Sequence, residues 1–524
     1  MESSLLRSPL SADRVAALKR WTAQLRGESP PLPVTRHFVN SDYTVHQRPR
    51  FTMDLRMYSR RTFNSECDNY ENQRGWHLAE GASYTYRDGH EYWNGTGTGI
   101  FPAWDWERVP GTLARHGAGL RPCQFEHRGP TSFVGAVVPA DAASGQRSTA
   151  MSALALQASS GGCGSGHPGC VGNTSALCHA TSSAQYGNTS AHNCAGSYNV
   201  SFAGNTSGEL HARRAFIWLE EGVLALSSEI RVALSGGTVG TTLDQCLFRG
   251  SWSTGLLRKP SAGASWVEVP GSERSLEFPS RHSWSSSGTA AHQTARWVRH
   301  HGVYYVWVSS SSASHPIQLV AEAGVRVGSW AEVSPVASPN TSISKDVLTV
   351  FLDHGRAPIT EAQDAAHLVL PGLDASRGAA AVAQVLDTTT VIQNDREVQA
   401  VLTSAENAVT LRAVFWPGAR RTLNISRPSM ITGVACSQPA IVSITVVGET
   451  RLFVSASSPT QTSGDIVITI EGAAAFGVGR GCDAGHGAET RVTLRLDEGA
   501  QLGLATVSAN CTRSKASLRG IRFI

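Results

Sequence analysis

Helix signals all but vanish after residue 35, while short runs of alternating apolar and polar residues recur to the end of the chain. The runs at 214–219, 302–308, 346–352, 441–447, 465–470 and 491–496 are rich in Val, Ile, Thr, Tyr and Trp. Those residue types suit a pleated, half-buried surface, and a period of two gives one buried face. Turn clusters such as Glu221-Gly222, Ser235-Gly236-Gly237 and Pro371-Gly372 separate them. Many strands with long irregular connections predict large antiparallel sandwiches. No short-period repeat is visible, so neither a propeller nor a solenoid is expected.

Length and composition set the scale. The chain has 524 residues, 41% of them hydrophobic and only 16% charged, too apolar for global disorder and long enough for several cores. No run of about 18 uncharged apolar residues occurs, so no membrane span is expected. With 45 Lys+Arg against 41 Asp+Glu the net charge is +4, which is no nucleic-acid footprint.

The chain divides unevenly. Ser11 can cap a helix whose stripe is Val15, Leu18, Trp21 and Leu25, and Pro30, Pro31 and Pro33 stop it. Residues 1–35 thus read as one helix and a stiff linker. Residues 36–375 read as the main β domain, 376–391 as an Ala-rich linker, and 392–524 as a second β domain. Within the first β domain, about 158–208 is dominated by Gly, Ser, Ala, Cys and Asn and reads as an exposed insertion. His167, His179 and His192 within it are expected to be solvated.

That insertion holds four of the 10 cysteines, Cys163, Cys170, Cys178 and Cys194. Eight Asn-X-Ser/Thr sequons occur, at Asn94, Asn173, Asn188, Asn199, Asn205, Asn340, Asn424 and Asn510. Together they suggest disulfides and an extracellular, secreted glycoprotein. Zinc held by Cys163, His167, Cys170 and Cys178 is the competing reading, but no CxxC spacing is present. The N-terminus carries no basic region followed by an apolar signal core.

Chemistry-bearing residues concentrate at 69–81, where Asn69, Glu71, Asn72, Arg74, Trp76, His77 and Glu80 fall within 13 residues. Tyr58-Ser59-Arg60-Arg61 precedes this stretch, and Trp104 to Thr112 follows it. Tryptophan beside amides and carboxylates suits sugar binding, since pyranose rings stack on aromatic faces and hydroxyls pair with polar groups. Arginines suit uronate carboxylates. The alternative is that Trp76, Trp104 and Trp106 are core and that Glu71 and Arg60 form a buried pair. A nucleophile elbow, HExxH, P-loop and dinucleotide fingerprint are all missing, so no cofactor or metal is expected. A glycosidase using Glu71 with Glu80 or Asp105 stays open.

At these residues the sequence resembles polysaccharide lyase family 8, the hyaluronate, chondroitin AC and xanthan lyases. Asn69-Tyr70-Glu71-Asn72, Gly75-Trp76 and Glu80-Gly81 resemble the family's Asn-Gly-Glu-Asn-x-x-Gly-Trp-x-x-x-Asp-Gly segment, with Tyr70 for its Gly and Glu80 for its Asp. Ser59-Arg60 matches an element ahead of it. Trp106 to Thr112 resembles an Arg-Leu-Pro-Gly-Thr-Thr turn, with Leu113 in place of the second Thr. Arg214 to Trp218, Phe351 to Gly355, Leu370-Pro371-Gly372, Gln399-Ala400-Val401 and Pro459-Thr460-Gln461 resemble further family elements in order.

The resemblance implies an α/α toroid, then a mainly β, antiparallel super-sandwich of the galactose mutarotase type, then a smaller β-sandwich. It implies β-elimination on uronic-acid glycans such as hyaluronan or chondroitin. An Asn neutralises the carboxylate, and a Tyr aided by a His moves the C5 proton to the leaving O4. An Arg positions the Tyr, and a sandwich Glu orients that Arg. In the family the Asn, His, Tyr and Arg lie on the toroid, for which this chain has room for one helix, residues 11–26. The expectation is therefore a fragment lacking the catalytic helical domain and inactive alone. Glu71 is carried over as the catalytic residue, with Asn72, Arg60, Trp76 and Asn69 binding substrate. His46 and Tyr58 are expected to be framework. The competing function is a secreted carbohydrate-binding β-sandwich that cleaves nothing.

Overall fold

A computed structural model of the protein describes Lys19, Ala23 and residues 33–512, apart from 66, 68–69, 96, 118, 121–126, 130, 140–149, 157–209, 262, 286–292, 310–316, 337, 418–421, 426–429, 449, 462–463, 473–475, 486–488 and 497–505. Of the expected helix 11–26, Lys19 and Ala23 are described, both helical. The insertion with Cys163, Cys170, Cys178 and Cys194, and Asn69, lie outside the described residues.

The expected strands all form. Two large antiparallel sheets face each other in the main domain. One has five strands in the order Ser280–Ser285, Gln318–Gly328, Ile343–Arg356, Thr238–Leu247, Leu113–His116. The other has ten, running through Trp252–Lys259, Gln293–His300, Val303–Val308, Ile359–Leu370, Val223–Val232, His211–Trp218 and Met151–Leu156. A four-stranded sheet, Val34–Phe38 to Thr85–Tyr86, closes one side. Phe51, Leu55, Trp218, Val239, Tyr305 and Leu352 fill the space between. Each such side chain contributes roughly 1.5–3 kcal/mol on burial.

The ten-stranded sheet is buried on both faces. That explains why Arg214-Ala215-Phe216-Ile217-Trp218 is buried throughout rather than alternately. Its second face packs Ile217, Leu224 and Tyr304 against the stretch read as a linker. That stretch is a helix, Ala379–Thr388, with Ala379, Val382, Val385 and Leu386 buried. An Ala-rich composition favours helix, and here both domains supply the apolar surface that a short helix needs.

The C-terminal domain is a sandwich of a six-stranded and a five-stranded sheet around Leu411, Phe415, Ile444, Val454, Ile468 and Val492. A Cys482–Cys511 disulfide joins the two sheets across 29 residues of chain. Cross-links of that span contribute about 3 kcal/mol. Cys67 is also disulfide-bonded, whereas Cys246 is a free, buried thiol and Cys436 is buried. The domains are stitched together by Phe133 against Trp416 at 5.2 Å, by Gln399 Nε2 donating to the Arg213 carbonyl at 3.2 Å, and by Gln461 Nε2 donating to the Val39 carbonyl at 3.3 Å.

Candidate functional site

The 70–81 loop hangs between the strands Phe51–Arg56 and Thr85–Tyr86 and is fixed at both ends. At its start, Ser334 Oγ donates to the Tyr70 carbonyl at 3.0 Å and Gln73 N donates to the Val333 carbonyl at 2.8 Å. Both partners belong to the short helix Trp330–Val333 or the residue after it. Tyr70 has φ +58°, the left-handed region that glycine favours, and it stands where the resembled segment has Gly. Asn72 Oδ1 accepts from Arg74 N at 3.0 Å, a local turn that Gly75 completes, because a Cβ there would lie 2.9 Å from Leu78 Cδ1.

At the other end of the loop, Asn64 is the anchor. It is fully buried, accepts from Ala79 N at 2.8 Å, and donates to the Trp76 carbonyl and to Glu80 Oε1. Glu80 also meets His77 Nδ1 at 2.6 Å and accepts from Tyr58 at 3.4 Å. These contacts occupy Glu80, so it is no second carboxylate for a glycosidase.

One predicted site residue, Trp76, turns out differently from expectation. Trp76 is 7% exposed, and its ring stacks on His127 at 4.3 Å, so it is core rather than a sugar platform. Arg60 and Glu71 are both exposed and form no buried pair. Arg61 joins the buried Asp42 at 2.7 Å beside Ser59, itself 2.5 Å from that carboxylate. Glu71 makes no hydrogen bond or ion pair among the described residues. Asn72 is half-buried on the same loop. His46 is framework as expected, bonded to Thr35 and to the Leu219 carbonyl and stacked on Trp218 at 5.1 Å.

A cleft of about 740 Å³ opens beside this loop. Trp104 and Trp106 form part of its wall, 3% and 4% exposed, and neither indole N–H has an acceptor among the described residues. Gln245 fixes the segment, accepting from Asp105 N at 2.8 Å and donating to the Asp105 and Arg108 carbonyls. Across the cleft Arg74 pairs with Glu332 at 2.8 Å, and Arg326 pairs with Glu322 at 2.9 Å and Asp105 at 3.6 Å. Arg108 lies over the Phe351 ring at 3.8 Å, and burial lowers its proton affinity. Arg74 and Arg326 are each about one-third exposed, so an acidic ligand can compete for them. Sequence reading did not single out Arg326 or Glu332. Arg326 sits between Val325 and Val327, both more than half exposed, so the strand points its arginine inward and its valines outward.

Comparison with known proteins bears on this arrangement. The profile described as polysaccharide lyase family 8, super-sandwich domain, matches residues 33–159 and 167–382. The profile described as polysaccharide lyase family 8, C-terminal beta-sandwich domain, matches residues 390–467. A hyaluronate lyase of Thermasporomyces composti is 24% identical over 454 residues, 84% of this chain and 44% of the relative. A xanthan lyase of Bacillus sp. (strain GL1) is 23% identical over 460 residues, 83% of this chain and 37% of the relative. A chondroitinase AC lyase solved in oligosaccharide complexes superposes with TM-score 0.65 at 20% identity, covering 95% of this chain and 57% of that one. The chain therefore spans about half or less of the length of these lyases.

Proposed function

The chain belongs to polysaccharide lyase family 8, and from that premise we propose that it forms the β-sandwich wall of a groove holding an acidic polysaccharide for β-elimination at a uronic-acid residue. The observation that carries this reading is the cleft in which Arg74 and Arg326 stand partly exposed beside the Glu71 loop.

The chemical difficulty is a weak carbon acid. Elimination breaks the C5–H and C4–O4 bonds and forms a C4=C5 double bond, consuming no water. Pairing the uronate carboxylate with a guanidinium stabilises the negative charge that develops as C5 loses its proton. Arg74 and Arg326 supply that pairing by exchanging Glu332 and Asp105 for the sugar acid. Neither tyrosine nor histidine is among the described residues lining the cleft. The proton carriers implied by the resemblance are therefore assigned to a helical domain facing this wall. Tyr70 and Val336, 57% and 72% exposed around the Ser334–Tyr70 bond, support a covering partner there. Glu71, exposed and unengaged, would orient an arginine brought by that domain. An extracellular setting is part of the proposal. The Cys482–Cys511 bridge and the exposed sequon residues Asn340 and Asn424 support it.

The second reading is a binding module that cleaves nothing, favoured by the same lack of a proton carrier in the cleft. One experiment separates the readings. The chain is incubated with hyaluronan and with chondroitin sulfate, alone and with a family helical domain added, while far-ultraviolet absorbance of unsaturated uronides is followed. Absorbance that rises only with the helical domain, and slows with Glu71→Gln, supports the lyase wall. Retardation on polysaccharide gels with no absorbance under either condition supports the binding module. Reducing ends released without absorbance would mean hydrolysis and overturn both.

A further inference from the structure

A second cleft, of about 940 Å³, lies between the helix Ala379–Thr388, the edge of the main domain and the outer face of the C-terminal six-stranded sheet. Alternation along Ala408–Phe415 sends Leu411, Ala413 and Phe415 into the C-terminal core and leaves Thr410 and Arg412 on the opposite face. Strand register then lays two rows across that face. One runs Arg412, Ser443, Ser455, Ser508, and the other runs Thr403, Thr410, Thr445, Phe453, Asn510. Farther along the same face Val401, Val414 and Ile441 are sealed against the main domain. The polar rows are the part left uncovered, and all nine residues line the cleft.

Arg412 is the unusual member. It is 3% exposed, donates from Nη1 to Thr403 Oγ1 at 2.9 Å, and has no acceptor at Nε. No carboxylate pairs with it among the described residues. Burial pulls its pKa down to about 10, which leaves it cationic at neutral pH. A buried cation without a counter-charge is costly to keep, and an entering anion removes that cost. Four carboxylates also line the cleft: Glu220 pairs with Arg48 at 3.0 Å, Asp374 accepts from Ser376 Oγ at 2.7 Å, Glu221 is half-buried and Glu406 is exposed.

Six of the other eight residues in the two rows carry hydroxyls. Thr410 and Thr445 share a hydrogen bond at 3.0 Å, as do Ser455 and Ser508 at 2.8 Å. Each such pair uses one O–H and keeps the other, together with spare lone pairs. Those are the groups that meet sugar hydroxyls, and Phe453 is the one aromatic ring in the described lining. The volume falls in the ~300–1,000 Å³ range of small-ligand sites.

We propose that this cleft is a second saccharide site, which takes an anionic sugar by pairing its carboxylate or sulfate group with Arg412 and its hydroxyls with the serine and threonine rows. The site goes beyond the lyase groove, because it lies against the C-terminal domain and shares no lining residue with the cleft of Arg74 and Arg326.

The test uses the full chain carrying Arg74→Gln and Arg326→Gln, which silence the first cleft. Calorimetric titration is run with hyaluronan tetrasaccharide, chondroitin 4-sulfate tetrasaccharide, neutral chitotetraose and sodium sulfate. The expected result is binding of the anionic tetrasaccharides, weakened at least about tenfold by Arg412→Met, the loss of one charged hydrogen-bonded contact. Ser455→Ala with Thr445→Val, which leaves the buried charge in place, is expected to weaken the same binding. If Arg412→Met does not fold, that double variant decides, and unchanged affinity in it overturns the proposal. Equal binding of chitotetraose, equal binding of sulfate alone, or no binding of any tetrasaccharide also overturns it. None of these outcomes depends on whether the first cleft holds polysaccharide, since that site is already disabled.

Discussion

Arg214 and Gly111, 103 residues apart in sequence, meet in the core of the main domain, where Arg214 Nη1 donates to the Gly111 carbonyl at 2.6 Å. Gly81 completes the knot. A Cβ on Gly81 would lie 2.8 Å from that same nitrogen, and a Cβ on Gly111 would lie 2.5 Å from the Gly81 carbonyl. Ser83 N donates to the Pro110 carbonyl at 2.8 Å beside them. The 70–81, 104–112 and 214–218 stretches are thus one interlocked unit, and the cleft loop is held from beneath.

Gly111→Ala tests that unit. Gly111 has φ +81°, and the added methyl meets backbone on two sides. The expected loss is on the order of 2–4 kcal/mol, combining left-handed strain with overpacking. Urea denaturation should show a lower midpoint with an unchanged slope. A midpoint equal to the parent's would mean that the loops move apart at no cost.

Trp76 separates packing from sugar contact. Its ring is covered by His127, so Trp76→Ala should destabilise by about 3–5 kcal/mol, as large aromatic truncations do. Trp76→Phe keeps most of the stacking and should retain polysaccharide retardation on a native gel. Retardation lost in Trp76→Phe at an unchanged melting temperature would place the ring against substrate after all.

The architecture was legible because its strands alternate and because several weak motifs fall in family order. Gln399 and Gln461, noticed only as motif letters, prove to be interdomain hydrogen-bond donors. What sequence hid was burial decided from far away. Trp76 is core because of His127, 51 positions on. Arg61 is wired in because Asp42 lies beneath it. Arg326 turns inward between two exposed valines, the reverse of what period-two reasoning assigns. Arg412 sits in a strand that reads as ordinary, and only the second domain's position shows that its outer face closes a cleft. The helix at 379–388 was read as a tether because its buried face needs surfaces contributed by two domains.

Arg74 should matter for binding and hardly at all for stability. Its bridge to Glu332 is largely exposed, and such pairs contribute about 0–1 kcal/mol. Arg74→Gln with Arg326→Gln should reduce retardation on hyaluronan gels while leaving the melting temperature nearly unchanged. The parent's retardation should also weaken as salt rises, since exposed charges are screened. Full retardation by the double variant would remove the cleft from the binding surface.

Acid should weaken the fold through its buried histidines. His46, His300 and His367 are held neutral by burial, with pKa values near 3, 3 and 3, and His37 and His354 near 4, while His116 is also lowered. In the unfolded chain each takes up a proton near pH 6.5, so the unfolded state binds more protons below that point. Their contribution is fully present above pH 6.5 and is lost as pH falls toward the folded values. Each net proton contributes a slope of roughly 1.4 kcal/mol per pH unit. Burial also raises Asp54, Asp244 and Asp364 to about 6, and these act in the opposite direction, since the folded state holds their protons between about pH 6 and the usual carboxylate range. Six histidines against three carboxyls leave a net loss on acidification. The thermal midpoint should therefore fall between pH 7.5 and 5.5, and His367→Gln, which removes one titrating group, should make that fall shallower. Equal midpoints at both pH values would show that the imidazoles gain protons without opening the sandwich.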